Sequence, residues 1–167
     1  MPLAHAAGED ILVDVQKNGN EIAVRVDCPV KAPLPVVWEV LTDYDHMAQF
    51  ITNLQESAVR ARDGDTLQVF QKGKASRGLL SFSFENLREI QLVPYHEIRS
   101  RLISGNLKSS EFTTSVVDNG QEIHIHNSGH FIPDVWVPPL IGPSVIEAET
   151  RKQFDELRTE ILRRVAR

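Results

Sequence analysis

His124, His126 and His130 fall on one side of an alternating segment, and imidazoles at i and i+2 on a strand are the start of a zinc or iron site. The intervening Ile123, Ile125 and Phe131 claim the buried side, so the histidines should face solvent, and no carboxylate in the local sequence completes a first shell. Asp43 and Asp45 flank Tyr44, and paired carboxylates can act as general acid and base. Both stand where helix ends need side-chain acceptors, and no His, Lys or apolar pocket in sequence reach tunes either one, so capping explains them better. Cys28 is the lone cysteine and reads as a buried structural thiol. No catalytic residue, metal site or cofactor is assigned on these grounds.

Polar side chains on an otherwise apolar face carry more information. Alternation places Leu67, Val69, Gln71, Gly73 and Ala75 on one face. The same face takes Leu80, Phe82 and Phe84, then Ile98, Ser100 and Leu102, then Ile123, Ile125, Asn127, Gly129 and Phe131. An unpaired amide or hydroxyl there costs about 1–3 kcal/mol. Gln71, Ser100 and Asn127 therefore need a partner: a ligand, a water, a backbone group or solvent at a strand end. Gly73 and Gly129 lack side chains where a curved sheet bends or makes room.

These residues have to be positioned by a sheet. Residues 11–17 and 22–30 alternate as half-buried strands around Asn18-Gly19, a dipeptide suited to the positive φ of a tight hairpin. Asp63-Gly64 and Asn119-Gly120 repeat the signal, and Pro94 separates two further extended runs, residues 79–92 and 95–104. About seven antiparallel strands follow. Helical spacing occurs twice. Residues 35–51 read as two short helices with a break near residues 42–45. A long C-terminal helix begins with Ser144 as N-cap and Glu147 three residues on, and carries Ile146, Thr150, Phe154, Leu157, Ile161 and Val165 as its apolar stripe. With no second long helix, that stripe must lie on the concave face of the sheet.

A chain of 167 residues fits one domain spanning residues 1–167, with no ordered element expected over residues 1–10. That start has no basic segment followed by a long apolar one, and no run of about 18 apolar residues occurs, so a cytoplasmic protein is expected. A net charge of −5 disfavours general binding to phosphate backbones, and no DNA partner is expected. Arg60, Arg62, Lys72, Lys74, Arg99, Arg101 and Lys108 nevertheless gather on the convex face, where neighbouring acids are the simplest balance for them.

The order of elements, and the run Pro35-Val36-Val37-Trp38-Glu39-Val40-Leu41-Thr42-Asp43-Tyr44, resemble the START-like helix-grip superfamily. The likeness is to its polyketide cyclase/dehydrase and coenzyme-Q-binding branches. Residues 53–59, Gln71-Lys72-Gly73, Pro138-Pro139-Leu140-Ile141-Gly142 and residues 160–164 follow in the matching order, so the resemblance covers roughly residues 20–165. It implies an α+β helix-grip fold, a curved antiparallel sheet wrapped around a long C-terminal helix, with a cavity for a lipid, quinone or polyketide-like molecule. It implies no reaction and no cofactor.

The expected ligand-binding residues are Val69, Gln71, Phe82, Phe84, Ser100, Leu102, Asn127, Phe131 and Phe154, with Trp136 at the rim. Two alternatives stand beside a binding protein. One is a cyclase or dehydratase using the same cavity, which would need an inward acid or base and would gain if residues 121–131 slipped by one position. The other, suggested by bacterial START-like relatives, is docking of the basic convex face on ribosomal RNA or a membrane surface. The oligomeric state is left open.

Overall fold

The three Asn-Gly and Asp-Gly dipeptides all close turns, with Gly19, Gly64 and Gly120 at φ of 61°, 60° and 89°. The computed structural model describes residues 10–77, 79–134 and 142–167. In chain order it contains β1 (Leu12–Asn18), β2 (Glu21–Val30), α1 (Leu34–Leu41), a 3-10 helix (Tyr44–Gln49), β3 (Leu54–Asp63), β4 (Thr66–Arg77) and β5 (Leu80–Val93). β6 (Glu97–Gly105), β7 (Leu107–Asp118), β8 (Ile123–Pro133) and α2 (Gly142–Val165) follow.

The strands form one antiparallel sheet in the order β1-β2-β8-β7-β6-β5-β4-β3. Eight strands replace the expected seven or so. Asn106 alone separates β6 from β7, held by its Nδ2 donating to the Ser83 carbonyl and its Oδ1 accepting from the Glu85 N–H. The polar run Lys108-Ser109-Ser110 hides that strand start in the sequence.

α1 and the 3-10 helix carry the chain from β2 to β3 at the far edge of the sheet. Thr42 ends α1 by donating its hydroxyl to the Trp38 carbonyl at 2.8 Å. The expected caps work differently. Neither helix has a side-chain cap hydrogen bond; Asp43 pairs with Arg164 at 2.7 Å and with His46 at 2.6 Å, while Asp45 accepts the Val59 N–H at 2.8 Å. His46, three residues from Asp43, is thus a histidine within sequence reach of that carboxylate, against the expectation that none was.

α2 starts at Gly142, with Pro143 in its first turn, where a missing N–H costs nothing. Ser144 is therefore an exposed residue inside the helix and not its N-cap. The helix presses Leu157 and Ile161 into the core cluster that holds Ile22, Val26, Cys28 and Ile125 of β2 and β8, while Val145 is buried against the space between helix and sheet. Val165, the last residue of the expected stripe, is 42% exposed.

Candidate functional site

Sheet and α2 do not close on each other completely. Between them lies a cavity of about 460 Å³, within the range of roughly 300–1,000 Å³ usual for small-molecule sites. Its walls are largely apolar, and two of its rings are seated by glycine. Phe84 stands opposite Gly73 across β4–β5, and Phe112 stands opposite Gly129 across β7–β8. A Cβ on Gly73 would lie 2.5 Å from the Phe84 ring, and one on Gly129 would lie 2.6 Å from the Phe112 ring. Only glycine lets these rings lie flat on the neighbouring strand. Phe112 also packs on Phe131, ring centroids 6.3 Å apart.

Of the expected residues, Val69, Gln71, Phe84 and Ser100 line the cavity, as do Asn127, Phe131 and Phe154. Leu102 does not, although it stands opposite Arg88 in the β5–β6 ladder. The side chain of Phe82, and Trp136 as a whole, lie outside the described residues.

Gln71, Ser100 and Asn127 each meet a side chain of another strand. Gln71 donates to Ser57 Oγ at 3.2 Å and lies 3.6 Å from Met47 Sδ, and Asn127 donates to Thr114 Oγ1 at 2.9 Å. Ser100 Oγ accepts from Arg88 Nε at 2.5 Å, and Arg88 Nη2 donates to Ser110 Oγ at 3.0 Å. Asn53 and Asn86, also in the cavity wall, each bury a side-chain oxygen without a hydrogen-bond partner among the described residues.

Arg88 is the residue the sequence reading missed. Among the described residues no carboxylate comes within ion-pairing distance of it, and burial pulls its guanidinium down to about 10, an effect that nearby Tyr44 only partly opposes. Tyr44 also lines the cavity, 8% exposed, with burial pushing its phenol well above the usual range. The signal for Arg88 was present. The alternation that places Phe84 inward continues through Asn86, Arg88 and Ile90 along the same strand.

Cys28 is fully buried, and desolvation pushes its thiol up to about 12, which removes thiolate chemistry at neutral pH. The three histidines face away from the cavity, because Ile123 and Ile125, 2% and 0% exposed, take the inner side of β8. No register slip turns them inward. The absence of a carboxylate beside them is corrected by the fold: Asp27 of β2 stands opposite His126 and reaches both His124 and His126. His130 pairs instead with Ala23 and Glu111 positions and is not part of that group. On the same outer face Arg60, Arg99 and Arg101 pair with Glu56, Glu97 and Glu89 at 3.0, 2.8 and 3.1 Å. Among the described residues no helix is long and apolar enough to cross a membrane.

Comparison with known proteins follows the same lines. A family described as polyketide cyclase / dehydrase and lipid transport matches residues 30–121. No curated protein matches in sequence. A STAR-related lipid transfer protein from Xanthomonas axonopodis superposes with a TM-score of 0.75 at 12% identity, covering 92% of this chain and 94% of its own. The Zhui aromatase/cyclase from a Streptomyces species gives 0.71 at 15% identity, covering 87% and 96%. Human STARD10 gives 0.69 at 15% identity, covering 96% of this chain and 71% of its own. At these identities the likeness is one of fold.

Proposed function

Since this chain belongs to the polyketide cyclase / dehydrase and lipid transport family, we propose that it binds a hydrophobic small molecule between sheet and α2, and that the molecule carries one anionic group. The observation that carries the reading is Arg88: a guanidinium in a largely apolar cavity, held by two serine hydroxyls and, among the described residues, without a carboxylate at ion-pairing distance. A buried cation is costly without a counter-ion, and a guanidinium matches a carboxylate or phosphate in a forked geometry. Ser100 and Ser110 fix Arg88 from β6 and β7, so its orientation exists before a ligand arrives. Val69, Phe84, Phe112, Phe131 and Phe154 would hold the apolar body.

A second reading, a cyclase or dehydratase, draws on the inward Tyr44. Its phenol stays protonated and shares the cavity with Arg88, a pairing suited to an oxygen that gains negative charge during a reaction. Turnover of the ligand recovered below would favour it over simple carriage.

The test is native mass spectrometry and solvent extraction of protein purified from its own host, repeated with Phe112→Arg, which sets a charge in the cavity. The expected result is an apolar molecule with an acidic group, at most one per chain, absent from the variant. An empty wild-type protein, or a co-purifying molecule retained equally by Phe112→Arg, would remove the reading; a molecule with no acidic group would remove its anionic part.

A further inference from the structure

On the face of the sheet opposite the cavity, two strands bring together a ligand set that the local sequence keeps apart. Asp27 on β2 is the direct cross-strand partner of His126 on β8, and His124 lies two residues along the same face. Both imidazoles turn toward one carboxylate oxygen: Asp27 Oδ1 is 2.9 Å from His124 Nδ1 and 3.5 Å from His126 Nδ1. The two rings stack, centroids 5.9 Å apart and 19° from parallel, and one donor atom from each residue lies within 4.8 Å of the others.

The two separations to Asp27 lie close to the edge length of a coordination tetrahedron. With metal–ligand bonds of about 2.0–2.1 Å, a tetrahedral zinc ion holds neighbouring donor atoms about 3.3 Å apart, and the two separations to Asp27 bracket that length. The second shell is also in place. His124 Nε2 is 3.1 Å from Glu122 Oε1, so a proton on Nε2 donates to that carboxylate and leaves the Nδ1 lone pair for a cation. His126 is half exposed, which leaves an open side for water as fourth ligand.

We propose that Asp27, His124 and His126 form a site for a divalent transition metal ion of borderline softness, zinc in the first instance, with Glu122 as a positioning residue. Two imidazoles and one carboxylate suit zinc or copper and disfavour magnesium and calcium, which take oxygen ligands. The site ties β2 to β8 on the back of the pair Val26 and Asn127, and Asn127 faces the cavity on the other side.

The full chain, stripped with EDTA and exchanged into metal-free buffer, is titrated with zinc chloride against a chromophoric chelator, and with cobalt(II) for its d–d absorption. One zinc per chain is expected, with cobalt bands of a four-coordinate site. Asp27→Asn and His126→Gln should each weaken binding by about 100-fold or more. Glu122→Ala should weaken it by about 10–100-fold, and Glu122→Gln, whose amide oxygen still accepts from Nε2, should restore most of that loss. His130→Gln, on the same face outside the group, should bind as wild type does. All variants are outward-facing and are checked for fold by circular dichroism. Failure of the wild-type chain to take up zinc, wild-type affinity in Asp27→Asn and His126→Gln, or an equal loss in His130→Gln would each overturn the site.

Discussion

Arg88 stands where a folding argument alone would not put a charge, and two serine hydroxyls only partly replace the water it has lost. Replacing it with methionine removes a desolvated cation and adds apolar contact. Arg88→Met should therefore melt at the same temperature as the ligand-free wild type or above it, in differential scanning fluorimetry, while losing its preference for anionic ligands. A fall of several degrees would mean that Arg88 is there for the fold. The residue was readable in principle, since period 2 carries Phe84 to Asn86 and Arg88. Alternation also placed Gln71, Ser100 and Asn127 inward, but their partners Ser57, Arg88 and Thr114 come from neighbouring strands. Which residues meet across a ladder depends on register and bulges, and the shift at Leu87–Arg88 leaves no mark in composition.

Two features of the elements shape the cavity. Gly129 on β8 seats Phe112 of β7, so Gly129→Ala drives a methyl into the ring and the strand beside it. The expected cost is about 1–3 kcal/mol in chemical denaturation, with a smaller ligand capacity, because Phe112 must move into the cavity. The other feature is a charged clamp. Arg164, near the end of α2, holds Glu160 on its own helix at 2.9 Å, Glu39 on α1 at 2.9 Å and Asp43 at 2.7 Å, with its guanidinium 5.5 Å from the centroid of the Phe50 ring. Hydrogen bonds from Arg163 and then Arg164 hold the Glu160 carboxyl down from 4.5 to about 2. A depressed carboxylate stabilises the fold above its unfolded value, so this contribution is complete above about pH 4.5 and is lost as pH falls toward 2. Arg164→Met should cost about 3 kcal/mol at neutral pH, by leaving Asp43 and Glu160 without their shared cation, and should flatten the acid limb of stability against pH. Equal acid limbs in thermal melts would contradict the clamp. Hairpin turns and the two helical regions were legible because their signals are local: Asn-Gly and Asp-Gly dipeptides and a switch from period 2 to 3.6. The clamp was not, since Asp43 and Arg164 lie 121 positions apart.

Taken together, the eight strands divide the labour between two faces. The concave side, with α2, encloses an apolar cavity around one guanidinium; the convex side sets arginines against glutamates and gathers Asp27, His124 and His126. Alternation, turn dipeptides and helical spacing gave the sheet, the long helix and most of the cavity walls, and the family resemblance implied the cavity itself. The hydroxyl partners that fix Arg88, and with them the proposed class of ligand, came only from seeing which strands adjoin. The anionic end of the ligand is thus the central claim, and isothermal titration of decanoate and 1-decanol into wild type and Arg88→Met tests it most directly. The wild-type protein should bind decanoate about 10–100-fold more tightly than 1-decanol, the worth of one charge-assisted hydrogen-bonding group, and Arg88→Met should bind the two alike. Equal affinities in the wild type, no binding of either compound, or a decanoate preference that survives in Arg88→Met would contradict it.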